Sequence, residues 1–207
     1  MSPMPASQHP SPTLRDCVYG QAVGDALGVP YEFRARGTFG CTGMTGHGSH
    51  DQPAGTWSDD TSMALATCDS IRATGRGRTG DEVHAVSAIT HAHATSCEAC
   101  VRMVRVARRL IAGEGPRDVA GDFVGVPASQ IRSGGFVLDT ERAALWCLAN
   151  TSSYAECVLA AVNLGDDTDT TAAVAGGLAG IAYGMEGIPG EWLDALLGKA
   201  TIDACLF

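Results

Sequence analysis

Two short stretches hold the densest chemistry in this chain. Gly165-Asp166-Asp167-Thr168-Asp169-Thr170-Thr171 sets three carboxylates and three hydroxyls side by side, directly before a run of small apolar residues. Gly55-Thr56-Trp57-Ser58-Asp59-Asp60-Thr61 repeats the pattern of hydroxyl, two carboxylates and hydroxyl, again before a run of small residues. A helix N-terminus needs one or two such acceptors for its free backbone N–H groups. Three aspartates exceed that need and repel one another: two unit charges about 4 Å apart interact by about 4 kcal/mol at an effective dielectric near 20. A bound cation relieves the repulsion, and a donor set made only of oxygen suits a hard ion such as Mg²⁺, Mn²⁺ or Ca²⁺. One cluster alone reads as a helix cap. Two clusters, each offering half an oxygen shell, predict one shared metal site completed by water.

The elements that must carry these clusters follow from periodicity and breakers. Ala172 to Tyr183, almost entirely Ala, Gly, Val and Leu without Pro, predicts a buried helix with the acidic cluster at its start. Ser62 to Ala73 predicts a second small-residue helix behind the other cluster. Thr13-Leu14-Arg15-Asp16 has capping-box spacing and opens a helix to about Gly28. That helix has Gly20, Gly24 and Gly28 on one face; the C-terminal helix has the same device in Gly176, Gly180 and Gly184. Each interior glycine costs about 0.5–1 kcal/mol relative to Ala, so two stripes predict close backbone approach between these helices, bringing Asp25 toward the acidic cluster.

Between these landmarks, Pro30 to Thr56 is glycine-rich and predicts a long loop, in which His47 and His50 read as solvated. Thr74 to Asp81 predicts a basic turn, and Glu82 to His93 a helix ending in Thr90-His91-Ala92-His93. Ser96 to Ala112 predicts an amphipathic helix with Cys97, Val101, Val104, Ala107 and Ile111 inward and Arg102, Arg105 and Arg109 solvated. Asp118 to Gln130 fits no single element. Thr140 to Ala149 and Ser153 to Leu164 predict two more helices. No run of alternating strands occurs, so the fold class reads as all-α.

Composition bounds the rest. The chain has 207 residues, 45% of them hydrophobic, which suffices for one buried core over residues 13–207. Met1 to Pro12, with four prolines and no basic-then-apolar signal pattern, reads as a disordered tail. No apolar run approaches the roughly 18 residues of a membrane span. The formal net charge of −9 argues against non-specific nucleic-acid binding. Eight cysteines are scattered through apolar patterns, which predicts reduced, buried thiols and a cytoplasmic location. Cys97 and Cys100 form a CxxC with no second pair to complete a zinc site.

Taken together, these motifs resemble the ADP-ribosylglycohydrolase family across most of residues 14 to 185. GQAVGDALG, residues 20–28, resembles its first helix, and WSDDT, residues 57–61, its first metal motif, with Ser58 in place of the usual Thr. Thr90-His91 resembles its TH pair, and GFVLDTERAALW, residues 135–146, its GYV-then-AALW segment. GDDTDTTAAVAGGLAGIAYG, residues 165–184, resembles its closing metal motif and helix. The resemblance implies a compact orthogonal helical bundle and a dinuclear Mg²⁺ or Mn²⁺ site ligated by Ser58, Asp59, Asp60, Asp167, Asp169 and Thr170, with Asp166 at a variable position. Glu32 matches a family glutamate that approaches the scissile ribose; Glu32 and Asp60 are the two candidates for the catalytic carboxylate. His91, Ser133, Gly134, Gly135, Phe136 and Val137 fall where members contact ADP-ribose, and Asp25 joins them as a substrate-binding candidate.

One departure stands out. Members place several dozen more residues, including a GNG-containing segment that lines the diphosphate, where this chain has only Ile71 to Thr90. The arginines of TGRGRTG, residues 74–80, offer a substitute because guanidinium suits phosphate oxygens. The implied function is metal-dependent hydrolysis of the glycosidic bond between ADP-ribose and a protein side chain or small conjugate. The alternatives are an ADP-ribose-binding relative without turnover and a two-metal phosphoester hydrolase.

Overall fold

The computed structural model describes residues 11–75 and 79–207. Its helices are α1 (Leu14–Gly28), α2 (Asp59–Thr74), α3 (Gly80–Thr90), α4 (Ala94–Ile111), α5 (Pro116–Val119), α6 (Val137–Asn150), α7 (Tyr154–Asn163), α8 (Thr168–Tyr183), α9 (Gly190–Ala195) and α10 (Lys199–Cys205), joined by short 3₁₀ turns. No strand occurs among the described residues, so the all-α expectation holds. The tail expected over residues 1–12 and the arginines of the basic turn, Arg76 and Arg78, fall mostly or wholly outside the described residues.

The bundle is built on α8. Ala172, Ala175 and Ala179 are fully buried, and α1, α6 and α7 surround them. The contact between α1 and α8 is the most extensive in the molecule. It runs antiparallel: Gly20 lies on Gly176, Gly24 on Ala172 and Gly28 on Asp169, while Gly180 lies on the Asp16 carbonyl. A Cβ on Gly20 or Gly24 would overlap the backbone carbonyl opposite it. The two glycine stripes therefore meet as their spacing predicts, with Gly184 standing just beyond the seam. The seam is tied further by Tyr154 of α7, fully buried, which donates its hydroxyl to Gly20 O at 2.7 Å. Because the seam is antiparallel, the end of α1 delivers the following chain to the start of α8.

Thr13 and Asp16 form the capping box of α1 that the sequence predicts. Other helices start two or three residues ahead of the expected positions: α2 at Asp59, α3 at Gly80 with a capping box of Thr79 and Glu82, α4 at Ala94 and α6 at Val137. The third helix stops at Thr90, because His91 and His93 leave helical geometry, and His93 instead caps α4 by accepting from Thr95 N. The inner face of α4 is wider than expected: Cys97 and Ala107 point inward as predicted, Ala99, Met103, Val106 and Leu110 join them, and Ile111 is 52% exposed. Val101 and Val104 face Thr79 and Val83 at the start of α3 instead. One apolar perimeter thus serves two neighbours, which a single-stripe reading merges. On the basic face Arg105 and Arg109 are exposed as expected, Arg109 in a surface pair with Glu114, whereas Arg102 makes a two-pronged ion pair with Glu141 of α6.

All eight cysteines are free thiols, most of them buried. No described helix is long and apolar enough to cross a membrane.

Candidate active site

The first acidic corner is placed by Asp25. This residue is 0% exposed, and its two carboxylate oxygens accept Ser58 N at 2.9 Å, Thr61 N at 3.0 Å and Thr61 Oγ1 at 2.5 Å. It thereby caps α2 from a neighbouring helix and fixes how Asp59 and Asp60 leave the N-terminus. Burial pushes its carboxyl upward, and the hydrogen bonds from Thr61 and Ser58 oppose that shift. Asp25, expected among the substrate contacts, is fully buried and is not among the residues lining the cleft; it stands behind the start of α2.

The second corner is held by backbone pairs. Phe33 N donates to Asp166 O at 2.7 Å and Asp166 N to Arg34 O at 2.8 Å, while Asp167 N donates to Ser133 O at 3.0 Å. Asp166 takes a left-handed φ of 60°, which short Asp side chains tolerate, and so turns the chain into α8. Arg36 locks the loops on either side: its guanidinium donates to Leu164 O, Ala128 O and Ile131 O at 2.6–2.7 Å. No motif marks Arg36 in the sequence, because its partners are carbonyls and leave no residue-type signal.

The two corners meet. Thr170 Oγ1 of α8 donates to Asp60 Oδ2 of α2 at 3.1 Å, and Ser58 Oγ lies 3.4 Å from the same oxygen. Glu32, Asp167 and Asp169 bring carboxylate oxygens within 4.8 Å of one another. Glu32 thus stands among candidate ligands, a role the sequence left to catalysis alone. Asp167 occupies the N-cap of α8 without making a side-chain capping bond. Its carboxylate is not used for helix capping; Oδ2 points past Gly135, whose Cβ position lies 3.5 Å away.

Charge crowding is the electrical signature of the site. Burial, then the charge of Glu32, with Asp167 and Asp60 adding, pushes the Asp169 carboxyl up to about 7. Burial and then Asp25, with Asp59 and Asp167 adding, pushes Asp60 up to about 6, although the Thr170 hydrogen bond opposes the shift. Two helix N-termini supply partial positive charge, which is less than these carboxylates need. No Lys or Arg appears among the described residues lining the cleft. An all-oxygen, electron-rich donor set without a cationic side chain fits a hard divalent cation.

A cleft of about 2200 Å³ opens over both corners. Its lining includes His91, Gly135, Phe136 and Val137 from the sequence assignments, together with Ser58, Asp59, Asp60, Asp167, Asp169 and Thr170. Ser133 and Gly134 are off it. Ser133 is 1% exposed, donates to Leu164 O and offers its carbonyl to Asp167 N, so it supports the site from behind. His50 is exposed, as expected, but it also lines the cleft and has a partner, with Nε2 2.5 Å from Glu32 Oε2. Away from the carboxylates the cleft becomes an apolar slot between Met63, Ala66 and Ile71 of α2 and Ala85, Val86 and Ile89 of α3.

Comparisons with known proteins agree with this fold. A family model described as ADP-ribosylglycohydrolase matches residues 9–86 and 77–206. The ADP-ribosylarginine hydrolase Tri1 of Serratia proteamaculans (strain 568) is 27% identical over 278 aligned residues, covering 91% of this chain and 76% of that protein. The ADP-ribosyl-[dinitrogen reductase] glycohydrolase of Rhodospirillum rubrum is 36% identical over 124 residues, 55% of this chain and 42% of its own length. A solved structure described as an ADP-ribosylglycohydrolase-related protein complex superposes with a TM-score of 0.80 at 27% identity, covering 92% of this chain and 94% of that one. The alignment with the Serratia protein is longer than this chain, so part of that relative has no counterpart here. The two matched stretches of the family model overlap over residues 77–86, within the short interval that precedes Thr90. With matches over nearly the whole chain and both acidic corners folded onto one cleft, the protein belongs to the ADP-ribosylglycohydrolase family.

Proposed function

We propose that this protein is a divalent-cation-dependent hydrolase that removes ADP-ribose from an acceptor, with ADP-ribosylated arginine as the substrate class. The observation that carries the reading is the convergence of two helix N-termini, with Asp60 bonded to Thr170 and Glu32 beside Asp167 and Asp169, at the floor of one cleft. The acidic lining favours a cationic acceptor such as a guanidinium over a neutral one, and two curated relatives carry the name ADP-ribosylarginine hydrolase.

Two ions, Mg²⁺ or Mn²⁺, are part of the proposal, one near Glu32, Asp167 and Asp169 and the other near Ser58, Asp59, Asp60 and Thr170. When bound, such ions supply Lewis-acid contacts that hold and orient the adjacent hydroxyls of a ribose. The rest falls to the chain itself. Departure of the acceptor from C1 develops positive, oxocarbenium-like charge on the sugar, and the carboxylates at the cleft floor are placed to stabilise it. Glu32 is the candidate to take a proton from the attacking water, with Asp60 as the second candidate. His91, Gly135, Phe136 and Val137 line the remainder of the cleft for the nucleotide part.

The test is incubation with an ADP-ribosylated arginine substrate in Mg²⁺ or Mn²⁺, with free ADP-ribose measured by chromatography. Release that stops on chelation is expected, and Glu32→Gln should lower turnover by about 10²–10⁴-fold and weaken binding of the ion near Asp167 and Asp169 while leaving the ion near Asp59 and Asp60 in place. Saturable ADP-ribose binding without release would contradict the hydrolase reading, and unchanged turnover in Glu32→Gln would remove Glu32 from the mechanism.

A further inference from the structure

The segment His47 to Gln52 is built against Glu32 more firmly than a surface loop requires. His47 N donates to Gln52 O at 2.5 Å and closes the segment on itself. Gly48, at φ 66°, lies against the Pro30 carbonyl so closely that a Cβ would overlap it. Ser49 Oγ donates to the backbone oxygen of Glu32 at 2.5 Å, and His50 Nε2 meets Glu32 Oε2 at 2.5 Å. On the other side of Glu32, Phe33 holds a left-handed φ of 66° and bonds to Asp166 O. The residue is 75% exposed, and its ring stands 5.9 Å from the His50 ring. A bulky residue at positive φ is strained by about 1–3 kcal/mol and persists only where its surroundings fix it. Glu32 is therefore gripped between the His50 segment and the loop that opens α8.

We infer that His50 is a positioning residue: it holds one oxygen of the Glu32 carboxylate, so that the other is set toward Asp167 and Asp169. An ionised carboxylate only accepts, so Nε2 of His50 carries the proton of this bond. Oε1 of Glu32 has no hydrogen-bond partner among the described residues, and it is the oxygen left for chemistry or ligation. Side-chain exposure fits the order of roles, since His50 is 41% exposed and Glu32 18%. A carboxylate near two others at this spacing is pushed away by their charge, and a fixed donor to it offsets that push. Partners of this kind typically control about 10–100-fold in activity without touching substrate.

This inference rests on the proposed hydrolase reading for its kinetic part and on a spectrum for its structural part. With ADP-ribosylated arginine and Mn²⁺, His50→Ala should lower kcat by about tenfold or more with KM within about twofold, and His50→Gln, which keeps an N–H donor, should recover most of the loss. In a Glu32→Gln background, His50→Ala should add nothing further. Imidazole ¹⁵N–¹H spectra should show a protonated Nε2 on His50 whose signal shifts in Glu32→Gln. An active wild type with unchanged kcat in His50→Ala, or an equal loss in both backgrounds, overturns the positioning role while leaving the hydrolase reading intact. A wild type silent toward ADP-ribosyl substrates overturns the hydrolase reading instead. The pair is then decided by the spectrum, where a His50 signal indifferent to Glu32→Gln overturns it.

Discussion

The seam between α1 and α8 and the slot between α2 and α3 are built on opposite terms. In the seam, glycines bring two backbones into contact and leave no room for a single added carbon. In the slot, α3 has no buried residue, rests chiefly on α4, and shows Ile89 at 79% exposure. The carboxylates sit at the end of the seam, so their separation is set by packing that cannot relax. The slot has no such constraint. The candidate carboxylates thus stand on the most determined packing of the molecule, and the open wall of the cleft stands on α3, which has no buried residue.

The same substitution made in both regions should break or confirm this contrast. Gly24→Ala forces a Cβ into the Ala172 carbonyl and should cost about 3 kcal/mol or more in urea unfolding, or prevent folding. Gly80→Ala, at the first position of α3 with nothing within 4 Å of the new carbon, should be neutral or stabilise by less than about 1 kcal/mol. Equal losses at both positions would erase the distinction.

Next in size is Arg36→Ala, which strands three carbonyls behind the second corner and should cost about 2–3 kcal/mol by the same measurement. Turnover should fall with it, because those carbonyls hold the loops that aim Asp167.

A smaller effect, with opposite sign in two assays, is expected of Asp169→Asn. Removing one crowded charge should raise the melting temperature of metal-free protein while weakening Mn²⁺ binding and turnover. The pH dependence follows from the same crowding. Asp169 in the fold sits at about 7 against 3.8 for a free carboxyl, so the native state holds the extra proton between those values. Metal-free stability should therefore fall as pH rises from about 4 to about 7 and level off above. Mn²⁺ binds the deprotonated form, so the gain in melting temperature on adding it should grow over the same window. A gain independent of pH would separate metal binding from these carboxylates. The smallest effect belongs to the slot, where Ile89→Ser should change stability by no more than about 0.5 kcal/mol.

How much was legible divides along the same line. The glycine stripes announced the seam, because only close backbone approach explains residues that weaken both helices. The doubled acidic motif announced that the two corners converge, since repulsion between neighbouring aspartates needs no partner to be visible. The wider inner face of α4 was hidden because Val101 and Val104 serve α3 while Met103 and Val106 serve the core. Asp25 carried a chemically suggestive residue type, yet its burial under Ser58 and Thr61 decides its role, and burial is a tertiary fact. His50 and Arg36 act through a distant carboxylate and through carbonyls, neither of which leaves a spacing signal. Beyond the closing motif, α9 and α10 have too little periodicity to be read before their partners are known.

The most direct test of the central claim, that two separated acidic corners form one cation site, is a calorimetric titration of metal-free protein with Mn²⁺, repeated on Asp60→Asn and Asp169→Asn. Saturable binding in the wild type, weakened by either substitution although one lies on α2 and the other on α8, is the predicted result. Binding that is absent in the wild type, or untouched by both substitutions, contradicts it.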